Sequence, residues 1–237
     1  MQVNSPILRV ENVSRQFGGV HALAGVTLAV PNGQIVGLIG PNGSGKTTLF
    51  NLITGVVRPS SGRLVFRDRD ISRLPPHRIN LLGIARTFQL TRLFPQMTAL
   101  ENMLVVGRED DRANHARATD LLEFVDLQSA RNEYAANLSY GQQKLLEFAR
   151  LLMVDPSLIL LDEPFAGVNP TMARRLQERL ETLVEQGKTL LVTDHEMKTM
   201  MSICSEIFVL DYGQLIAQGT PATIQSDARV MAAYFGR

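Results

Sequence analysis

Cysteine is almost missing: Cys204 is the single one in 237 residues. One thiol closes no internal disulfide, and such sparse usage fits a reducing compartment. An excess of charge of either sign is missing too. Lys+Arg number 24 against 23 Asp+Glu, a net of +1. That balance argues against an electrostatic reader of nucleic acid and against an acidic tail. Lysine is scarce within the basic set, at positions 46, 144, 188 and 198 only, so a lysine inside a motif is informative. No continuous membrane-spanning run is visible. The uncharged stretch 22–45 has the length for one, but Pro31, Asn32, Gly33, Pro41 and Asn42 interrupt it. Residues 1–13 lack the basic start and apolar run of a signal peptide. No repeat, charge block or low-complexity tract stands out. The expectation is a soluble, cytosolic globular protein of one large domain or two small ones.

What is present is a series of short apolar runs alternating with amphipathic stretches. Segments 7–13, 27–30, 35–39 and 62–66 read as strands, with a turn at Pro31-Asn32-Gly33. Segment 46–54 reads as a helix closed by Gly55. From about Thr98 to Val154 the apolar spacing becomes helical, with Leu121, Leu122, Val125, Leu145, Leu146, Ala149 and Leu152 on helix faces. Strands return at 157–161, 189–193 and 207–210, with a charged-faced helix over 171–186. This order predicts an α/β fold with a mostly parallel sheet and a helical insertion from roughly Gln89 to Asp155.

The strongest local signal is Gly40-Pro41-Asn42-Gly43-Ser44-Gly45-Lys46-Thr47-Thr48. It matches G-x-x-x-x-G-K-S/T after an apolar strand and opens a helix. Glycines let the backbone curl so that successive N–H groups face a phosphate, aided by the helix N-terminus. Lys46 suits the β- and γ-phosphates, and the Thr47 hydroxyl suits Mg2+. The competing reading is an ordinary glycine-rich turn, which the strand–loop–helix context disfavours.

A second signal is the apolar run 157–161 ending in Asp162-Glu163-Pro164. Open α/β sheets bind ligands at such strand ends. Asp162 suits Mg2+, directly or through water. Glu163 suits the base that positions or deprotonates a water against the γ-phosphate. Two surface acids at a strand exit are the bland alternative. Thr193-Asp194-His195 ends the next strand, and His195 there suits a sensor of the γ-phosphate.

With Leu138-Ser139-Tyr140-Gly141-Gln142-Gln143 in view, the chain resembles the ATP-binding cassette (ABC) ATPases, whose signature reads L-S-G-G-Q. Ser139 and Gly141 open a predicted helix that can offer a hydroxyl, N–H groups and a helix dipole to phosphate. A lone Ser-x-Gly at a helix start would otherwise be a plain cap. The resemblance covers essentially the whole chain. It implies a P-loop NTPase core with an N-terminal antiparallel β portion: one domain over 1–237, with a RecA-like core at 1–88 and 156–237 and a helical subdomain at 89–155.

The resemblance also implies site roles. Phe17 stacks on adenine, a contact tolerant of base identity; a core Phe is the alternative. Gln89, in Arg86-Thr87-Phe88-Gln89, touches Mg2+ or the attacking water. His195 is the switch histidine. Ser139, Tyr140, Gly141 and Gln142 close over the ATP held by a second cassette. Two departures stand out: Tyr140 replaces the usual first Gly of the signature, and Asn169, in Phe165-Ala166-Gly167-Val168-Asn169, stands where many relatives have Asp.

The stretch from Gly83 to Asn102, with Tyr140 and the run from Ala166 to Pro170, is most similar to the ATP-binding subunit of branched-chain amino-acid importers. Relatives there carry a longer stretch than the polar link 107–112. The implied function is ATP hydrolysis, with Mg2+, energising import of branched-chain or related amino acids. The implied partners are a second cassette, identical or related, two transmembrane permease subunits and, indirectly, a solute-binding protein, with no nucleic acid. The implied place is the cytoplasmic face of the inner membrane. Leu93, Phe94, Pro95 and Met97 are candidates for the permease contact, with subdomain packing as the alternative. Importers of urea or amides and a lipopolysaccharide-export ATPase share parts of the pattern. A non-transport ABC ATPase is disfavoured by the single cassette and by the absence of a long coiled-coil insertion.

Overall fold

The protein is described by a computed structural model over residues 5–87 and 92–235. It opens with strands β1 (Leu8–Phe17), β2 (Val20–Val30) and β3 (Ile35–Ile39), then helix α1 (Lys46–Ile53). Strands β4 (Ser61–Phe66) and β5 (Arg69–Asp70), helix α2 (Pro76–Leu81) and strand β6 (Ile84–Arg86) follow. Three helices come next: α3 (Ala99–Leu104), α4 (Asp111–Phe124) and α5 (Tyr140–Leu152). The chain then runs through β7 (Leu158–Asp162), α6 (Pro170–Glu185), β8 (Thr189–Thr193), α7 (Met197–Ile203), β9 (Glu206–Asp211) and β10 (Gln214–Gly219). It closes with α8 (Pro221–Ser226) and α9 (Ala228–Phe235). Gln89 lies outside the described residues.

Two sheets form. One is antiparallel, in the order β2-β1-β4-β5. The other runs β10-β9-β3-β8-β7-β6 and is parallel except for β10, which pairs antiparallel with β9. Side chains of the parallel strands alternate strictly between two cores. Val36, Leu38, Leu158, Leu160, Leu191, Phe208 and Leu210 face a core shared with α1 and the antiparallel sheet. Ile35, Ile39, Ile159, Leu161, Leu190, Val192, Ile207 and Val209 face a second core shared with α3–α6. A parallel sheet covered on both faces has no polar face to show, which is why these strands read as continuous apolar runs.

The α/β reading of the sequence holds, with one difference in extent. Strands β1 and β2 run well beyond the apolar segments 7–13 and 27–30. Their pairing shifts register between Val10 and Val13 and again up to Gln16. Bulges of this kind break the alternation that marks a strand in sequence.

Cys204 packs in the second core, 6% exposed. Burial pushes its thiol up to about 12. Thiolate is the reactive form, so alkylation of the native chain at pH 8 is expected to be roughly a thousandfold slower than that of a free cysteine. Labelling should become fast only on unfolding. Fast labelling of the native chain would show an exposed thiol. Among the described residues no helix is long and apolar enough to cross a membrane.

Candidate functional site

The loop between β3 and α1 is shaped by what it touches. A Cβ on Gly40 would lie 2.1 Å from Leu210 O, and one on Gly45 2.6 Å from Leu23 Cδ2 with φ at +108°. No residue but glycine fits either place. The turn joining β9 and β10 holds the loop from outside: Gly213 N–H donates to Ser44 O at 2.9 Å, and Gly213 O accepts from Ala24 N–H at 2.8 Å. Thr98, Asp110, Ser139, Asn169 and Thr220 cap α3, α4, α5, α6 and α8 with their side chains. No side chain caps α1, and its first turn carries no acid. Its N–H donors are therefore open to an anion. Ser44 Oγ is buried without a hydrogen-bond partner among the described residues. An orphaned hydroxyl, an uncapped helix start and a glycine-shaped cradle together fit a bound phosphate.

Lys46 Nζ donates to Gly40 O at 2.6 Å and Pro41 O at 2.9 Å. Burial pulls this ammonium below its usual range, against an opposing pull from Glu163 and Asp162. Those carboxylates therefore sit close enough to be felt. Residues 42–48, Ala22, Glu163 and His195 line a single cleft.

Glu163 follows the last residue of β7 in a left-handed conformation, φ +52°. Such a backbone costs about 1–3 kcal/mol in a non-glycine residue and persists only where the surroundings hold it. Here Glu163 N–H donates to Thr193 O at 2.7 Å. Its Oε1 lies 2.6 Å from His195 Nε2. Two acids and a histidine from adjacent strand ends thus meet at the loop.

Three residues that the motifs do not flag hold this arrangement. Asp194, buried, accepts from Phe165 N–H at 2.8 Å and from Glu196 N–H at 3.0 Å. One carboxylate thereby clamps both the turn after Glu163 and the turn after His195. Arg86 Nη2 pairs with Asp162 Oδ2 at 2.7 Å, the two side chains 5% and 9% exposed. Its Nη1 donates to Asn51 Oδ1 at 2.6 Å, so β6, β7 and α1 are tied together. Lys144, on α5, donates to Glu163 O at 3.2 Å and Ala166 O at 2.5 Å. The scarcity of lysine is the only trace of this last contact in the sequence.

Phe17, 44% exposed at the end of β1, is not a core residue. The Arg15 guanidinium covers one face of its ring at 4.4 Å, and it does not line the cleft. Nor do Ser139, Tyr140, Gly141 and Gln142. Those four open α5 through a capping box, with Gln142 N–H on Ser139 Oγ at 3.3 Å and Ser139 N–H on Gln142 Oε1 at 2.9 Å. Ser139 keeps its own hydroxyl proton to donate. Both departures find local partners. The Tyr140 ring lies against Gly167, where a Cβ would sit 3.0 Å from Cε1. Asn169 caps α6, accepting from Met172 N–H at 2.9 Å.

A family model described as ABC transporter matches residues 23–166. The chain belongs to the ABC transporter family. A second model, branched-chain amino acid ATP-binding cassette transporter, matches residues 214–237. The cassette is 40% identical to the high-affinity branched-chain amino acid transport ATP-binding protein BraF of Pseudomonas aeruginosa, with 99% of each chain covered. It is 36% identical to the lipopolysaccharide export system ATP-binding protein LptB of Escherichia coli, with 97% of each covered. Among solved structures it matches an ATP-binding cassette of an ABC transporter in its ADP conformation. That match has TM-score 0.89, 35% identity, and coverage of 98% of this chain and 99% of the other. It also matches a dimeric cassette in a post-hydrolysis state bound to ADP and phosphate. There the TM-score is 0.81 at 27% identity, over 90% of this chain and 98% of the other. The cassette is therefore a P-loop NTPase and an ATPase coupled to transport. Cassettes of this family dimerise and work with transmembrane permease subunits. The alignment with BraF runs over 253 positions against 237 residues here, so that relative has residues without a counterpart in this chain.

Proposed function

We propose that the cassette hydrolyses ATP at composite sites shared with a second cassette, and so energises import of branched-chain amino acids. The observation that carries this reading is the cleft. It joins the phosphate loop to the Glu163–His195 pair, while the signature residues on α5 stand outside it, which favours their use on the nucleotide of another chain. The Lys46 ammonium and the N–H groups of residues 43–48 bind the phosphates. Glu163 takes a proton from the water that attacks the γ-phosphorus, and the bond to the ADP oxygen breaks. His195 Nε2 orients the Glu163 carboxylate in this structure, and its single N–H turns to a γ-phosphate oxygen when ATP is bound. Mg2+ suits the Thr47 hydroxyl and Asp162, oxygen ligands of the kind it takes beside substrate phosphates, and supplies charge neutralisation there. Gln89, outside the described residues, is assigned to Mg2+ or the water by its motif alone. Ser139, Tyr140, Gly141 and Gln142 contact the ATP of the partner cassette.

The helical subdomain, 92–155 among the described residues, moves against the RecA-like core, 5–87 and 156–235, and passes the motion to the permease subunits. The cassette then sits at the cytoplasmic face of the membrane, held by them. Phe17 receives adenine on the ring face opposite Arg15. Phe17→Ala is expected to weaken ATP binding by about 1–3 kcal/mol, read by titration calorimetry. An unchanged affinity would give adenine another platform.

Branched-chain amino acids are favoured as cargo by the similarity to BraF and by the match over 214–237. Lipopolysaccharide export is the second reading, on the similarity to LptB. Proteoliposomes holding the complete transporter and its solute-binding protein separate them. ATP-dependent accumulation of labelled leucine is expected. ATP-dependent extraction of lipopolysaccharide without leucine uptake would transfer the assignment.

A further inference from the structure

The structure joins two elements that the composite-site reading assigns to different ATP molecules. The start of α5, carrying Ser139 and Tyr140, faces outward for a partner's nucleotide. Glu163 serves the nucleotide on this chain's own loop. Lys144 stands one helical turn after Tyr140 on the same face of α5, its ammonium 5.3 Å from the Tyr140 ring centroid. That ammonium reaches across to the turn that begins at Glu163. It donates to Glu163 O and to Ala166 O, and Ala166 N–H closes the same turn on Glu163 O at 3.3 Å. Tyr140 packs on Gly167 just beyond. Lys144 and Glu163 also border one small cavity with Gly141, Asp162 and Met172. A left-handed Glu163 needs external restraint. Thr193 O restrains its N–H side and Lys144 restrains its carbonyl side.

We propose that Lys144 is a positioning residue for Glu163. Its ammonium fixes the turn that aims the carboxylate, and it couples engagement of the signature helix by the partner's ATP to the readiness of this chain's own base. A lysine is suited to this because its three donors can grip two carbonyls at once. The proposal rests on the reading of Glu163 as the base and of residues 139–142 as the partner-facing signature.

The test uses the assembled transporter and its ATPase activity. Lys144→Met is expected to lower kcat about 10- to 100-fold, since small misplacement of a catalytic group has costs of that size. KM for ATP should stay within about twofold, because the phosphate loop is untouched. Lys144→Arg, which can still donate to two carbonyls, should recover most of the loss. In a Glu163→Gln background, Lys144→Met should cause no further fall in the residual rate, because a residue acting through Glu163 has nothing left to position. A wild-type kcat in Lys144→Met would overturn the proposal. So would a further 10- to 100-fold fall in the Glu163→Gln background. A loss of ATP affinity matching the loss of kcat would overturn it too. If Glu163→Gln itself turned over normally, the assignment of the base would fail first, and the cycle reports that separately. Should Lys144→Met not assemble, Lys144→Gln is read in its place with the same criteria.

Discussion

Glu163→Gln is expected to hydrolyse ATP about 10²- to 10⁴-fold more slowly than the native cassette, the span attributed to a positioned general base. The substitution is close to isosteric, so the Glu163–His195 contact can survive: the histidine N–H still finds an amide oxygen at Oε1. The backbone bonds that hold the turn, from Glu163 N–H to Thr193 O and from Lys144 to Glu163 O, do not involve the side chain. Binding and geometry should therefore persist while proton acceptance is lost. ATP affinity should stay near native, and the variant should accumulate as an ATP-bound pair, visible as a dimer in size-exclusion chromatography with ATP and Mg2+. Normal turnover would remove Glu163 as the base and leave His195 as the remaining candidate in the cleft.

Arg86→Met should be the most destabilising single change in the region. Arg86 and Asp162 are both deeply buried. Deleting one partner of such a pair leaves an uncompensated charge and costs about 3–5 kcal/mol, far more than the pair itself contributes against an apolar replacement. Arg86→Met also releases Asn51 on α1, so the damage reaches the helix behind the phosphate loop. Urea unfolding should show the midpoint falling with little change in slope. Adding Asp162→Leu should recover part of the stability, though not activity. By contrast, Arg9→Met, which removes the surface pairs of Arg9 with Asp68 and Glu11, should leave the midpoint nearly unchanged. An equally small shift in Arg86→Met would mean that water already reaches Asp162.

Why some of this was legible in the sequence and some was not has a physical basis. The phosphate loop is legible because its function is a backbone shape, and backbone shape forces residue type: Gly40 and Gly45 admit no side chain. The strand ends at Asp162 and Thr193 are legible because both faces of a parallel sheet are buried, so an acid can appear only where the strand stops. Arg86, Asp194 and Lys144 act differently. Each works through a partner far away in sequence, Asp162 for Arg86 and Phe165 for Asp194, or through backbone carbonyls, as Lys144 does. Backbone carbonyls belong to every residue, so no pattern of side chains announces that a lysine will bind them. Tyr140 and Asn169 look like lost function when set against a motif. The structure gives each a job: one packs on Gly167 and the other caps α6. The true lengths of β1 and β2 stay hidden for a simpler reason, since register shifts erase their alternation.

The placement of β3 has a consequence for how the protein is made. Its two neighbours are β8 and β9, and its pairing with β9 begins at Glu206. A ribosome adding ~5–20 residues per second needs roughly 10–30 s to travel from Ile39 to Glu206. For most of that interval, until β8 is made and can pair from Leu190 onward, the nascent chain holds the phosphate-loop sequence on an apolar strand with neither neighbour to join. Gly213, which braces the loop at Ser44, emerges later still. Nucleotide binding is therefore among the last properties the growing chain acquires, and a product stopped short of β9 would carry the motif without the site.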